Sequence, residues 1–247
     1  MVPKNFKIVI EYDGSAYCGW QIQPNGPTIQ ERIETALQRM TRSKVNLIGS
    51  GRTDGGVHAL GQVANFTCDT NIDAQAFQSG LNSLLPTDII IRSCREVDET
   101  FHARFNAKSK TYRYHILNSP LPAAIGRHYH WWIRKPLDVE AMTAAAGYLV
   151  GKKDFKAFEA TGSPRAHTIR HVLRADILLK DNSFIFLEIQ AEGFLRYMVR
   201  NITGTLVEVG KGNMPPEEII AILASKDRGR AGMTAPAQGL CLVEVLY

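Results

Sequence analysis

Apolar and polar residues alternate along much of the chain, and this alternation predicts β-strands. Between residues 4 and 12 every second side chain from Phe6 to Tyr12 is apolar, whereas Lys7 and Glu11 point the other way. A period of two is typical of a strand with one buried face. Similar reasoning predicts strands over residues 45–50, 57–68, 89–97, 110–117, 168–180, 183–192 and 240–247.

Apolar residues at helical spacing separate these strands. Thr28 and Glu31 form a capping-box pattern, and the apolar residues that follow predict an amphipathic helix over 28–42. Further helices are predicted over 73–85, 138–150 and 195–209, with a short one opening at the Pro215–Pro216 pair.

The order of these elements is β-α-β-β-α-β, and it occurs twice. This is the ferredoxin-like unit, so the sequence predicts an α+β fold of two such halves with mainly antiparallel sheets. The halves meet near residues 100–108, which gives predicted domains of residues 1–103 and 104–247. Two sheets side by side would leave a cleft between them, where an extended ligand could bind.

Composition and charge narrow the class of protein. The chain has 247 residues, a net charge of +5 and a pI of about 9.0, which permits a polyanionic partner without requiring one. Its four cysteines form no Cys-x-x-Cys pair, so neither a zinc ribbon nor a redox dithiol is indicated. The sequence shows neither a signal peptide nor an apolar run long enough to span a membrane, and we therefore expect a cytoplasmic protein.

The densest chemical signal is GSGRTDGGVHALGQ, residues 49–62. It opens no helix and lacks the Gly-Lys-Ser/Thr ending, so it is neither a dinucleotide-binding nor a P-loop motif. One interpretation is a glycine-rich turn capped by its own aspartate. The other is a reactive carboxylate, because Arg52 and Asp54 share a face of an extended segment and the guanidinium would keep the aspartate ionised.

Three other segments carry candidate side chains. Basic and aromatic residues interleave over 101–117, and this segment includes Lys110 and Tyr112. Arg200 follows Arg196 by one helical turn within 193–210. A polar loop at 161–170 holds Arg165 and Arg170, and either solvation or phosphate contacts would explain it. The pair His128 and His130 lacks a third ligand, so core packing is favoured over a metal site.

Six blocks of this sequence resemble the tRNA pseudouridine synthase A family. The first is GRTDGGVHA, where the family usually has alanine in place of Gly55. Thr203 likewise replaces a usual apolar residue, and neither difference removes a chemical group. The other five blocks occur in family order across the chain: DGSAYCGWQIQP, FHARFNAKSKTYRY, TGSPRAHTIR, FLRYMVRNITGTL and APAQGLCLVEV.

The resemblance implies two ferredoxin-like halves facing a basic cleft and a homodimer. It also implies isomerisation of uridine to pseudouridine at positions 38 to 40 of the tRNA anticodon arm, with no cofactor and no metal. By motif, the catalytic aspartate is Asp54, the substrate-contacting tyrosine is Tyr112, and the supporting arginines are Arg52 and Arg200. Arg200 would pair with Asp54 and hold it ionised. Lys110, Arg165 and Arg170 are candidate RNA contacts.

Two alternatives come from other classes of protein. A non-catalytic tRNA-binding or chaperone protein would present the same basic cleft without chemistry. A glycosidase would need a second carboxylate as the acid, and the glycine-rich motif offers only Asp54.

Overall fold

The fold is α+β with mainly antiparallel strands, as the sequence predicts. The computed structural model describes residues 3–162, 167–181 and 183–247. These residues form two compact units, one of residues 1–108 with 242–247 and one of residues 109–241. No described helix has the length and apolar character needed to cross a membrane.

The first unit has the expected β-α-β-β-α-β order. Its elements are β1 (Lys4–Tyr12), α1 (Ile29–Thr41), β2 (Ile48–Gly49), β3 (His58–Cys68), α2 (Ala74–Leu84) and β4 (Ile89–Val97). Strand β1 lies between β4 and β3, β2 pairs with β3, and every one of these pairings is antiparallel. Strand β2 is shorter than the predicted 45–50, since only two of its residues pair.

An aromatic cluster fills the core of the first unit. The ring centroids of Phe6 and Phe77 lie 4.8 Å apart, and those of Phe66 and Phe77 lie 5.2 Å apart. All three side chains are fully buried. The cluster joins β1, β3 and α2 because the apolar face of each strand points towards the helices. Thr28 caps α1 as predicted, accepting a hydrogen bond from the amide of Glu31.

The second unit repeats the pattern with additions. Its elements are β5 (Ser109–Asn118), β6 (Trp131–Ile133), α3 (Val139–Gly147), β7 (Gly151–Asp154), β8 (Ile169–Lys180), β9 (Phe184–Ala191), α4 (Met198–Gly210) and α5 (Glu218–Ser225). The last strand, β10 (Leu240–Leu246), has its first two residues in this unit and the others in the first unit. Strands β5, β9, β8 and β7 are antiparallel neighbours in that order, whereas β6 runs parallel to β5.

Helix α4 begins at Met198 and not at the predicted Leu195. Tyr197 has a φ of 64°, in the left-handed region, so the right-handed helix cannot extend back through it.

The end of the chain packs in the first unit, where β10 lies beside β3. The hydroxyl of Tyr247 donates to the carbonyl of Ala103 at 2.7 Å. Its ring lies 5.1 Å from that of Phe101, and the Lys7 ammonium lies 3.9 Å from its centroid. Burial lowers the pKa of Lys7 and raises the pKa of Tyr247. The last residue therefore anchors the segment that leads out of β4.

Tyr247→Ala is expected to lower the free energy of unfolding by about 2–3 kcal/mol, because it removes a half-buried ring and the cation–π partner of Lys7. Tyr247→Phe keeps the ring and loses one hydrogen bond, so it should cost only about 1 kcal/mol. Urea denaturation of the two variants measures the difference. Equal stability of Tyr247→Ala and the wild type would contradict the anchoring role.

Candidate active site

The loop between β2 and β3, residues 50–57, is called the aspartate loop here. At its start the Ser50 amide donates to the carbonyl of Val63 at 2.7 Å. The Ser50 hydroxyl donates to Oε1 of Gln62 at 2.7 Å, and Nε2 of Gln62 donates to the carbonyl of Gly51 at 3.1 Å. Gln62 is fully buried. Because a buried amide is stable only when hydrogen-bonded, this network fixes the start of the loop to β3.

The middle of the loop is held by the segment that follows β1. The hydroxyls of Tyr12 and Thr53 lie 2.8 Å apart in a buried hydrogen bond. The Trp20 amide donates to the carbonyl of Thr53 at 3.1 Å, and the Gly56 amide donates to the carbonyl of Tyr17 at 3.3 Å. Thr53 is therefore held through both its side chain and its backbone, and the neighbouring Asp54 is carried on a constrained backbone.

A close backbone approach makes this contact possible. Gly19 has a φ of +100°, and a Cβ atom on it would lie 2.6 Å from the Thr53 carbonyl oxygen and 3.1 Å from the Gly55 nitrogen. A Cβ on Gly55 would instead meet its nearest atom at 3.5 Å, an ordinary contact distance. The two backbones can therefore approach this closely only because Gly19 has no side chain.

The end of the loop is fixed by His58, the first residue of β3. This side chain is buried, and its Nδ1 lies 3.0 Å from the Gly14 amide nitrogen and 3.1 Å from Oδ1 of Asp13. The Val57 amide donates to the carbonyl of Asp54 at 3.2 Å and closes the turn. Sequence reasoning missed the supporting roles of His58 and Gln62, although both stand within the glycine-rich motif.

The carboxylate itself lies on the more open side of this loop. Arg52 is exposed, Thr53 is buried and Asp54 is half-buried. This alternation agrees with Arg52 and Asp54 sharing a face. The loop therefore presents a half-buried Asp54 side chain, two residues after the exposed Arg52, on a backbone anchored at its start, middle and end. Active sites hold their reacting groups in position in a comparable way.

Tyr112 and Lys110 lie on β5 in the second unit. The Tyr112 ring is 8% exposed and meets Phe194 edge to face, with the centroids 5.1 Å apart at 86°. Lys110 is half-buried two residues earlier, on the same face of the strand.

Arg200 occupies the first turn of α4. Its Nε donates to the carbonyl of Ala235 at 2.8 Å, and the Ala235 amide donates back to the Arg200 carbonyl at 3.1 Å. The guanidinium carbon lies 4.8 Å from the ring centroid of Tyr197, and Arg196 stacks on this ring at the same distance. The side chain of Arg200 is therefore held in one orientation by a backbone acceptor and an aromatic ring.

A partly buried polar network supports the backbone that holds Arg200. Nη2 of Arg228 donates to Oδ1 of Asn201 at 3.0 Å and to the Thr234 hydroxyl at 3.1 Å. Burial lowers the pKa of Arg228. The hydroxyl of Tyr114 donates to the carbonyl of Pro236 at 2.7 Å, and burial raises the pKa of this tyrosine. Residues 234–236, which provide the acceptor for Arg200, are thus fixed on both sides.

In the sequence, the remaining candidate residues lie outside the aspartate loop and outside the segments that carry Tyr112 and Arg200. Arg165 is outside the described residues. Arg170 is half-buried near the start of β8, where its Nη1 donates to the Ile169 carbonyl at 2.7 Å. His130 is buried edge-on to Phe184, and burial lowers its pKa. Within the described parts of the chain, no three His, Cys, Asp or Glu side chains are grouped so that they could hold a metal.

The chain is similar to named enzymes along its whole length. Two relatives, both named tRNA pseudouridine synthase A, illustrate this. The one from Thermoanaerobacter sp. strain X514 is 49% identical over 244 residues, covering 99% of this chain and 100% of the relative. The one from Geobacter sp. strain M21 is 47% identical over 245 residues, covering 99% of each.

Among solved structures, an archaeal box H/ACA sRNP Nop10-Cbf5 complex is 14% identical with a TM-score of 0.36, covering 82% of this chain and 44% of that one.

A family sequence model described as tRNA pseudouridine synthase matches residues 8–106 and 145–247. The matched segments contain Asp54 with the whole aspartate loop, and also Arg200, whereas Tyr112 falls between them. The match covers most of the chain, and the two relatives extend it to nearly every residue. The chain therefore belongs to the tRNA pseudouridine synthase family.

Proposed function

We propose that the protein isomerises uridine to pseudouridine in the anticodon arm of tRNA, at positions 38 to 40, with Asp54 as the reacting carboxylate. The observation that supports this most is the aspartate loop, which carries the half-buried Asp54, two residues after Arg52, on an anchored backbone. Membership of the family and the names of the relatives support the same reaction class. They do not favour the non-catalytic alternative.

The chemistry needs only rearrangement of the substrate's own atoms. The C1′–N1 bond breaks, the base rotates, a C1′–C5 bond forms, and the proton at C5 is lost while N1 gains one. A carboxylate can assist by attacking C1′ or by removing a ribose proton to give a glycal. Both routes use Asp54 as the first reacting group.

The other side chains act on binding and proton movement in this proposal. The uridine cannot react within a base stack, so it must flip out. Arg52, exposed beside Asp54, either fills the space left by the base or holds a phosphate. Tyr112 stacks on the uracil and assists loss of the C5 proton. Arg200 provides fixed positive charge that keeps the aspartate ionised. Lys110, Arg165 and Arg170 contribute to RNA binding.

Tyr112→Phe is expected to slow release of tritium from C5-labelled uridine in tRNA by about a hundredfold, the lower end of what a positioned proton-transfer group contributes. The ring and its packing on Phe194 remain, so tRNA affinity should stay close to that of the wild type. An unchanged rate would contradict the proton role and leave only stacking.

We also propose that the protein is a cytoplasmic homodimer, because the family that its sequence resembles is homodimeric. Sedimentation at micromolar concentration measures the association state. A monomer under these conditions would contradict it.

The decisive experiment is to incubate the protein with unmodified tRNA transcripts and to map pseudouridine in the product. We expect modification confined to positions 38 to 40 and no free uracil. Release of free uracil would indicate a glycosidase. Tight tRNA binding without tritium release from C5 would indicate the non-catalytic alternative.

A further inference from the structure

A cavity of about 470 Å³ opens in the first unit between α1 and the end of α2. Arg32 and Arg39 line it from α1, and Tyr17 lines it from the segment after β1. Leu85 and Pro86, just beyond α2, add an apolar wall. It is called the arginine cavity below, and the site described above uses neither of its arginines.

The charge at this cavity is unbalanced. Arg32 and Arg39 are seven residues apart, so both lie on one face of α1 with their Cα atoms ~10.5 Å apart. Both are exposed, and in the described ranges of the chain neither guanidinium has a carboxylate within ion-pair distance. Asp88 is nearby, where its Oδ1 accepts the Tyr17 hydroxyl at 2.7 Å, and one carboxylate offsets only one of the two positive charges.

The end of α2 does not neutralise the two arginines. A helix C-terminus carries the equivalent of only about half an elementary negative charge. The two guanidiniums therefore leave a net positive charge at the cavity. This charge would attract an anion, and a phosphate group fits the donor geometry of arginine.

Tyr17 connects the cavity to the aspartate loop. Tyr17 lines the cavity, and its carbonyl accepts the Gly56 amide at 3.3 Å, two residues after Asp54. The backbone of Cys18 lies 3.5 Å from the position of a Cβ on Gly55. An anion in the cavity is thus separated from the aspartate loop by a single residue, which favours a group that belongs to the substrate over an unrelated acidic protein.

We propose that the arginine cavity binds a phosphate of the RNA backbone while the aspartate loop holds the uridine. This inference rests on the proposed function, because it takes tRNA as the partner. It assigns Arg32 and Arg39 to RNA binding outside the motifs that the sequence singled out.

The test compares two double variants that remove the same charge. Arg32→Gln with Arg39→Gln empties the cavity of cations, and Arg42→Asn with Lys44→Gln removes two exposed cations outside it. Asparagine suits Arg42 because this position has a φ of 57°. Affinity for fluorescent tRNA is measured from about 50 to about 200 mM KCl, the range over which phosphate contacts weaken strongly.

The cavity variant is expected to bind tRNA about tenfold more weakly, and its log–log salt slope should fall by about 1.4–1.8, the contribution of two phosphate contacts. Arg32→Lys with Arg39→Lys should keep most of the slope, because charge is retained. The control pair should keep the wild-type slope and turnover. A slope for the cavity variant equal to that of the control overturns the inference.

Two outcomes separate this inference from the proposed function. If the wild type binds tRNA but forms no pseudouridine, the proposed function fails, and the salt slopes still decide the role of the cavity. If the wild type forms pseudouridine and the cavity variant binds as the control does, only the cavity proposal fails. Single variants at Arg32 and Arg39, each expected to lower the slope by about half as much, provide the answer if the double variant unfolds.

Discussion

Replacing Asp54 by asparagine is expected to reduce pseudouridine formation by at least about a thousandfold, because an amide can neither attack C1′ nor accept a proton. The change is nearly isosteric. The hydrogen bonds described above for the aspartate loop come from the side chains of Ser50, Thr53, His58 and Gln62 and from the backbone, so the loop should keep its conformation. Folding and tRNA affinity should therefore remain close to those of the wild type.

Asp73→Asn is a matched control for this variant. Asp73 caps α2 by accepting the amide of Ala76 at 2.7 Å, and asparagine caps helices equally well. The same chemical change in the same unit should leave tritium release unaffected. Turnover by Asp54→Asn at the rate of this control would refute the catalytic role of the carboxylate.

Local patterns in the sequence predicted most of the elements, because each depends on neighbouring residues. The alternation from Phe6 to Tyr12 gave β1 and its buried face. Asp73 and Asp138 each accept the amide three residues later, as an N-cap does. The position of Asp54 in a turn between two strands also followed from the motif alone.

Very short elements, and features that depend on residues far away in the sequence, could not be predicted from the apolar and polar pattern. Strands β6 and β7 have three and four residues, too few for a period to be recognised. Leu195 continues the apolar stripe of α4, yet the left-handed backbone at Tyr197 makes the helix begin only at Met198. The packing of residues 242–247 in the first unit brings together the two ends of the chain. The roles of Tyr112 and Arg200 came from the family resemblance, since their segments also fit ordinary strands and helices.

Gly19→Ala is expected to have the second large effect, because Gly19 sets the distance between the aspartate loop and the segment after β1. The variant would place its Cβ 2.6 Å from the Thr53 carbonyl oxygen at a φ of +100°. Backbone strain and overlap together should lower the free energy of unfolding by about 2–4 kcal/mol. A displacement of the loop by about 1 Å should also slow turnover roughly a hundredfold.

Gly55→Ala separates this specific effect from a general cost of adding a methyl group to the loop. The new Cβ would meet its nearest neighbour at 3.5 Å, and the backbone at Gly55 is not left-handed. We therefore expect wild-type turnover and a gain of about 0.4–1 kcal/mol in stability, because alanine restricts the unfolded chain. Urea denaturation and tritium release are measured on both variants. If both lose activity equally, loop flexibility matters more than the contact at Gly19. If both stay active, Asp54 does not depend on this contact for its position.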